Sequence, residues 1–198
     1  MNRTDQILKM ADQNGILRPR DVEAIGIPRA YLSMLCKSGE LERRARGLYA
    51  RTGAPINENY QLEEIAKRIP SAVFCLLSAL SFHNIGTQLP HEIWITVPKN
   101  FCTPSIEYPP LNLTYSTEPA YSFGIQEHIE SGVPLKVYSP AKTVVDCFKF
   151  RNKVGLDVAL EALKETWRDR KATADELVTA AKTCRMYNVM RPYMEAIV

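Results

Sequence analysis

Three features are missing from the sequence, and each absence excludes a class of protein. No run approaches the roughly 18 apolar residues that a membrane-spanning helix needs, and the N-terminus lacks the apolar segment of a signal peptide. No glycine-rich phosphate loop is present. No two cysteines form a C-x-x-C pair; the five are Cys36, Cys75, Cys102, Cys147 and Cys184. We therefore expect buried thiols in a reducing compartment, and a cytoplasmic protein without metal or cofactor.

Catalytic motifs are equally scarce. The histidines show no metal-ligand spacing; they are His83, His91 and His128. Asp146 lies in an apolar segment with Lys142 one helical turn earlier, which favours a buried charge satisfied by its neighbour. The alternative is an acidic residue of a metal-dependent nuclease, which would need Glu92, Glu107 or Glu127 to converge on the same cation. The spacing of these carboxylates matches no nuclease motif, so we predict that the protein is not an enzyme.

The charge of the chain is distributed unevenly. With 198 residues, 45% hydrophobic and 24% charged, the composition is typical of a protein with one or two globular domains. Residues 1–53 contain ten Lys and Arg against six Asp and Glu, a net charge of +4, whereas residues 54–198 contain fifteen against sixteen, a net charge of −1. The positive charge thus lies in the N-terminal quarter, which indicates a polyanionic partner there.

Residues 15–52 follow the order short helix, tight turn, second helix and two-stranded ribbon. A helix over 2–13 precedes them. The short helix runs over 21–25 and closes at Gly26, and the second helix begins near Pro28, which suits a first helical position, and stops at Gly39. Strands at 41–45 and 48–51 are joined through Gly47, which can adopt a positive φ. This order predicts a winged helix-turn-helix domain over residues 1–53.

The second helix of this unit has two chemically different faces. Its predicted buried face consists of Tyr31, Leu32, Leu35 and Cys36. Arg29, Ser33 and Lys37 fall four residues apart on the opposite face, where they could contact base edges or nearby phosphates in a DNA major groove. Tyr31 is predicted to contact the DNA backbone. The alternative is a structural helical module with a solvated polar face.

Further cations are predicted to hold the DNA backbone. Arg43, Arg44 and Arg46 crowd the ribbon, where long cationic side chains can lie along phosphates. Arg18, just before the short helix, is a further candidate phosphate contact, although ordinary surface charge explains it equally well. Together these residues predict a double-stranded DNA interface, with a basic surface loop as the alternative.

The remaining residues, 57–198, are predicted to form an α+β domain with a small sheet of about four strands and helices at its C-terminal end. A helix is expected over 57–69, followed by one apolar core element over 71–84. Alternating or apolar segments predict strands at 92–97, 111–116, 121–129 and 135–138. Helices are then expected over 139–150, 155–167, 174–185 and 189–197, the third with a capping box at its start.

Three stretches of the chain resemble the AbiEi-type antitoxins, which are transcriptional regulators of type IV toxin–antitoxin pairs in abortive infection. The first is IPRAYLSMLCKSGELERRARGLYAR, with its Arg-Gly-hydrophobic-Tyr ending at Tyr49. The second is Ser78-Ala79-Leu80 with His83, followed by EIWITVP. The third is GVPLKVYSPAKTVVDCF, ending at Phe148. They occur in the family's order and together cover most of the chain.

The resemblance implies a function that the residues alone do not establish. It implies that the winged helix binds repeats in the promoter of its own operon, and that the C-terminal domain counteracts a nucleotidyltransferase-like toxin. A regulator without a toxin, a nuclease targeted by the winged helix and a protein-binding adaptor are the alternatives.

Overall fold

The computed structural model describes residues 2–54, 58–102, 104 and 106–197. The chain divides into two compact units, the first formed by residues 1–70 with 128–135 and the second by 71–127 with 136–198. The predicted domain boundary between residues 53 and 57 includes Asn57, which lies outside the described residues, and it stays a prediction. None of the described helices is both long enough and apolar enough to cross a membrane.

The first unit contains a helix-turn-helix, a ribbon and a fourth helix. Its elements are α1 (Arg3–Asn14), α2 (Pro19–Glu23), α3 (Ala30–Lys37), β1 (Leu41–Ala45), β2 (Leu48–Arg51) and α4 (Tyr60–Arg68). The strands β1 and β2 pair antiparallel, and Gly47 in the turn between them has a φ of 75°. Leu17 forms an isolated antiparallel bridge with Tyr49 of β2. Its N–H donates to the Tyr49 carbonyl oxygen at 2.8 Å, and its own carbonyl oxygen accepts from the Tyr49 N–H at 2.9 Å.

One apolar core holds the helices and the ribbon of this unit together. It is formed by Ile7, Ala11, Leu17, Val22, Ile27, Leu32, Leu35 and Leu41. Leu32 and Leu35 of α3 are almost fully buried, and each such side chain contributes about 1.5–3 kcal/mol to stability. Because α1, α3 and β1 bury residues in the same core, the position of α3 relative to the ribbon is determined by packing.

A close backbone approach joins α1 to residues 128–135 within the first unit. A methyl group added at Gly15 would lie 2.2 Å from the carbonyl oxygen of Ser131, and one added at Gly132 would lie 2.0 Å from that of Gln13. Both glycines also have positive φ, 63° and 77°. Only a residue without a Cβ atom fits at these two positions.

The second unit is built on a mixed sheet of five strands in the order β5-β4-β3-β7-β6. The strands are β3 (Val73–Phe74), β4 (Ile93–Pro98), β5 (Leu111–Ser116), β6 (Ile125–Glu130) and β7 (Val133–Tyr138). β3 pairs antiparallel with β4 and parallel with β7, and β4 pairs parallel with β5. The end of the β6–β7 hairpin, residues 128–135, belongs to the first unit.

Helices pack around the apolar segment of α6 in the second unit. The helices are α5 (Leu76–Phe82), α6 (Pro140–Lys149), α7 (Arg151–Val154), α8 (Leu156–Arg168), α9 (Ala174–Thr183) and α10 (Tyr187–Glu195). Eight of the ten residues of α6 are buried, and α5, α8, α9 and α10 all contact it. The α+β class and the C-terminal concentration of helices are thus as predicted.

The structure refines one prediction about the second unit and corrects one about the cysteines. The apolar stretch 71–84, predicted as a core element, is largely buried and contains both β3, which ends at Phe74, and α5, which starts at Leu76, so β3 is a fifth strand beside the roughly four predicted. Not all thiols are buried, since Cys102 is exposed and Cys36 is half-buried. Burial raises the pKa of the Cys75 thiol to about 12, so this thiol stays protonated and unreactive at neutral pH.

Candidate nucleic-acid interface

The helix α3 presents its polar face to solvent. Arg29 precedes the first residue of α3, and Arg29, Ser33 and Lys37 are all exposed, while the opposite face packs into the core. The two faces predicted from the sequence are therefore present. A helix anchored on one side, with a cation near each end of its free side, has the shape and charge to enter a DNA major groove.

Tyr31 lies at the edge of this face and is half-buried. Its hydroxyl accepts a long hydrogen bond of 3.5 Å from Arg3, and the Arg3 guanidinium lies 5.9 Å from the centre of its ring. Tyr31 thus connects the start of α1 to α3, and the contact places the Arg3 guanidinium at the same edge of the unit.

The arginines of the ribbon differ in their surroundings. Arg43 and Arg46 are exposed, and Arg46 occupies the turn beside Gly47. The strand β1, which contains Arg43, contacts α3. Burial raises the pKa of the Cys36 thiol on α3, and the charge of Arg43 partly opposes the rise. Arg43 donates a 3.4 Å hydrogen bond to the carbonyl oxygen of Ala45, and within the ranges that the structure describes neither Arg43 nor Arg46 forms an ion pair. The structure thus brings Arg43 to the same region as Lys37.

Arg44 is turned toward the protein. The register of the ribbon shifts between Arg43 and Ala45, and the Arg44 side chain is only 13% exposed. Its guanidinium pairs with Glu42, donates a 3.1 Å hydrogen bond to the carbonyl oxygen of Ala54 and lies 5.6 Å from the ring centre of Tyr60. These contacts attach the ribbon to the start of α4.

Arg18 is also engaged within its own unit. Its guanidinium donates a short hydrogen bond to the carbonyl oxygen of Lys67 and pairs with Asp21 at 3.4 Å. The Arg18 backbone N–H donates to the same Asp21 carboxylate at 2.8 Å, which stabilises the start of α2. The side chain is 20% exposed, so Arg18 connects α2 to the end of α4.

One exposed residue on α3 is absent from the sequence prediction. Met34 is 47% exposed on the solvent side of the helix, between Ser33 and Lys37. An apolar side chain at such a position can contact the C5-methyl group of thymine. The helical spacing that places Arg29, Ser33 and Lys37 together also places Met34 next to them, but an apolar residue in a mostly apolar helix is expected to be buried.

In the second unit, the acidic residue singled out from the sequence is paired with its neighbour. Lys142 Nζ lies 2.5 Å from Asp146 Oδ2, and the two side chains are only 2% and 5% exposed. Lys142 Nζ also lies 4.2 Å from the centre of the Tyr138 ring. Across the described part of the chain, no group of three or more His, Cys, Asp or Glu side chains could hold a metal ion.

The first unit therefore has the parts of a winged helix-turn-helix. The helix α3 packs with α1 and α2 around one core, and the two-stranded ribbon follows, bridged to Leu17. Residues 5–52 match the family described as "Transcriptional regulator, AbiEi antitoxin". The resemblance predicted from the sequence is confirmed over these residues, which include α3 and the whole ribbon.

A solved structure shows that the overall fold occurs elsewhere. The RV2827C protein from Mycobacterium tuberculosis matches with a TM-score of 0.56 over 91% of this chain and 71% of that chain, at 13% sequence identity. At this identity the likeness concerns the fold alone. No curated protein matches the chain in sequence.

Proposed function

We propose that the protein is a DNA-binding transcriptional regulator of the AbiEi antitoxin type and that it has no enzymatic role. The observation that carries the proposal is the exposed polar face of α3 with the exposed arginines of the ribbon, Arg43 and Arg46, beside it, inside the segment that matches the family. We define this surface as the α3–ribbon face: Arg29, Ser33, Met34, Lys37, Arg43 and Arg46.

Each residue of the α3–ribbon face has a distinct proposed role. Arg29 and Ser33 contact base edges from the N-terminal half of α3, and Met34 contacts a thymine methyl group. Lys37, Arg43 and Arg46 hold phosphates. Arg18 and Arg44 are left out of the face, because their guanidinium groups are bound within the protein. Tyr31 stays a prediction, as a half-buried residue at the edge of the face.

The family match and the fold also support the antitoxin role. We infer that the protein represses its own operon through promoter repeats, and that the second unit counteracts a nucleotidyltransferase-like toxin. The second unit supplies a stable α+β body for such a contact. A nuclease has less support, because the candidate acid Asp146 is buried against Lys142 and is not open to solvent.

Salt titration of DNA binding tests the proposed face as a whole. Three exposed cations of the face, Lys37, Arg43 and Arg46, neutralise three phosphates, so the logarithm of affinity should fall with the logarithm of salt concentration with a slope of about −2.7. Fluorescence anisotropy with a duplex selected from a random library measures this slope. Affinity that does not change with salt, or no affinity for any duplex at low salt, contradicts the proposal.

Replacing Arg29 by alanine should relax sequence preference. A bidentate arginine–guanine contact discriminates against the wrong base by about 1–3 kcal/mol, so the preference at one position of the selected site should largely disappear. Binding to a set of duplexes with single-base changes measures this loss. Arg20→Ala is the matched control, because Arg20 is exposed in the same unit but lies on α2; it should leave the ranking of the duplexes unchanged. The assignment is contradicted if Arg20→Ala changes the ranking of the duplexes and Arg29→Ala leaves it unchanged.

A further inference from the structure

The strand β5 forms an edge of the five-stranded sheet, and half of its backbone groups point away from the sheet. It pairs with β4 alone, in a continuous parallel register from Ile93–Leu111 to Pro98–Ser116. Bonds from Ile93 N–H to the Pro110 carbonyl and from Lys99 N–H to the Ser116 carbonyl show that even-numbered positions face β4. In a parallel pair the alternate residues face outward. The N–H and C=O groups of Leu111, Leu113 and Tyr115 therefore form a free edge within the described strands.

This edge lacks the usual features that prevent pairing with another chain. No charged residue occurs in residues 108–117 (YPPLNLTYST), and the register along β5 contains no bulge. Proline precedes the strand but does not interrupt it. The opposite edge of the same sheet, β6, carries Glu127 and Glu130. Natural sheets protect exposed edges with charges, bulges or internal prolines. The difference between the uncharged β5 and the charged β6 therefore indicates that another strand covers β5 and that β6 stays exposed.

The side chains of β5 suit a copy of the same strand. In antiparallel pairing about a two-fold axis through Leu113, Leu113 faces its own copy, Leu111 faces Tyr115, and Asn112 faces Thr114. Each facing pair has matched polarity. A charge near such an axis would face an identical charge, and the strand has none. The outward groups of Leu111, Leu113 and Tyr115 then form six hydrogen bonds across the axis.

We propose that two copies of this chain associate through β5, in an antiparallel pair centred on Leu113 that joins the two sheets into one. The inference goes beyond the proposed function and does not depend on DNA binding. Tyr115, which is 51% exposed in the single chain, is covered by Leu111 of the partner strand in the pair.

Sedimentation equilibrium tests the association. The protein should have twice the mass of its 22.4 kDa chain at tens of micromolar concentration. Leu113→Lys should weaken the dimer at least about tenfold, because two ammonium groups would meet at the axis. Ile129→Lys is the matched control: Ile129 is 70% exposed on β6, and the same charge there should leave the dimer intact.

Cysteine cross-linking tests the register without adding charge. In a Cys102→Ser background, which removes the exposed thiol, Leu113→Cys should form an intermolecular disulfide under mild oxidation. Facing residues of a hydrogen-bonded antiparallel pair have Cα atoms about 5.5 Å apart, within disulfide range. Asn112→Cys should not cross-link, because it faces Thr114.

The possible outcomes decide the proposal. A dimer dissociated by Leu113→Lys and cross-linked through Leu113→Cys supports it. A 22.4 kDa species throughout the concentration range overturns it, including the case in which β5 pairs with the strand of a different protein. A dimer that survives Leu113→Lys, or that cross-links equally through Asn112→Cys, also overturns it. Circular dichroism identifies any variant that fails to fold, and the uncharged cysteine variants then decide.

Discussion

Replacing Lys142 by methionine is expected to lower the free energy of unfolding by about 3–5 kcal/mol, since breaking a buried ion pair leaves its partner uncompensated. The Asp146 carboxylate would then be buried with neither its 2.5 Å contact to Lys142 nor access to water. Methionine fills a similar volume, so the loss of stability measures the effect of the missing charge and not that of a cavity. Urea denaturation followed by tyrosine and tryptophan fluorescence measures the change.

The double variant Lys142→Met with Asp146→Leu is the matched control. Removing both charges together removes the cost of burying them, and well-packed apolar replacements of buried pairs are often neutral or stabilising. The double variant should therefore recover most of the stability lost in Lys142→Met. Equal unfolding midpoints for wild type and Lys142→Met would show that the pair does not matter to the fold. Metal-dependent DNA nicking that disappears in Asp146→Asn would instead revive the nuclease alternative.

The same pair gives a prediction about pH. Burial raises the pKa of Asp146 above its ordinary value, and the charge of Lys142 opposes the rise. A carboxyl whose pKa is higher in the folded protein than in the unfolded chain binds its proton more tightly when folded. Its contribution to stability is therefore complete below the ordinary aspartate range and is lost as pH rises through the folded pKa. In Lys142→Met this loss should be larger and extend to higher pH, and in the double variant it should be absent.

The double change Arg43→Ala with Arg46→Ala should weaken binding to all duplexes to a similar extent. Charge-assisted contacts contribute about 1.5–3 kcal/mol each, so two lost phosphate contacts correspond to a loss of about 100-fold to 10,000-fold at low salt. The slope of affinity against salt should also become shallower by about 1.8. Anisotropy titrations of the selected duplex and of an unrelated duplex measure both effects.

Arg44→Ala is the matched control for the ribbon. It removes the same charge from the adjacent position, but its guanidinium binds Glu42 and Ala54 and lies over Tyr60. We expect it to lower the free energy of unfolding by about 1–3 kcal/mol and to leave the salt slope of the folded protein unchanged. If Arg44→Ala changes the slope and the Arg43, Arg46 double variant does not, the assignment of the ribbon arginines is reversed.

The sequence predicts the helix-turn-helix and the ribbon well, because local signals dominate there. The apolar spacing of α3 and the glycines at its end and in the ribbon turn are short-range features. The predicted start is wrong by two residues, because α3 begins at Ala30 with Arg29 as its N-cap and Pro28 lies just before it. The predicted strands at 41–45 and 48–51 match β1 and β2 residue for residue. The exposure of Arg29, Ser33 and Lys37 follows from the same periodicity.

Other features depend on distant contacts that a single sequence does not show. Arg43 and Arg44 are adjacent strand residues and therefore point to opposite faces of the ribbon. Which of the two faces is covered depends on the contact of Arg44 with Tyr60, 16 residues further along the chain. One of the two partners of the Arg18 guanidinium is the backbone carbonyl of Lys67, 49 residues away. Likewise, a short apolar run such as 71–84 has no periodicity that separates a two-residue strand from the helix after it.

The close approach of Gly15 and Gly132 has a practical consequence for work on fragments. The first unit is assembled from two separate parts of the chain, 1–70 and 128–135. A fragment cut after residue 53 or residue 70 would carry the recognition helix but would uncover the end of α1, where the backbone of residues 131–132 normally lies. Weak binding by such a truncated piece would therefore reflect an incomplete module and would not measure the α3–ribbon face. Conversely, side chains larger than hydrogen at positions 15 and 132 should be rare among natural homologues that keep this contact, although the two sites are far apart in the chain.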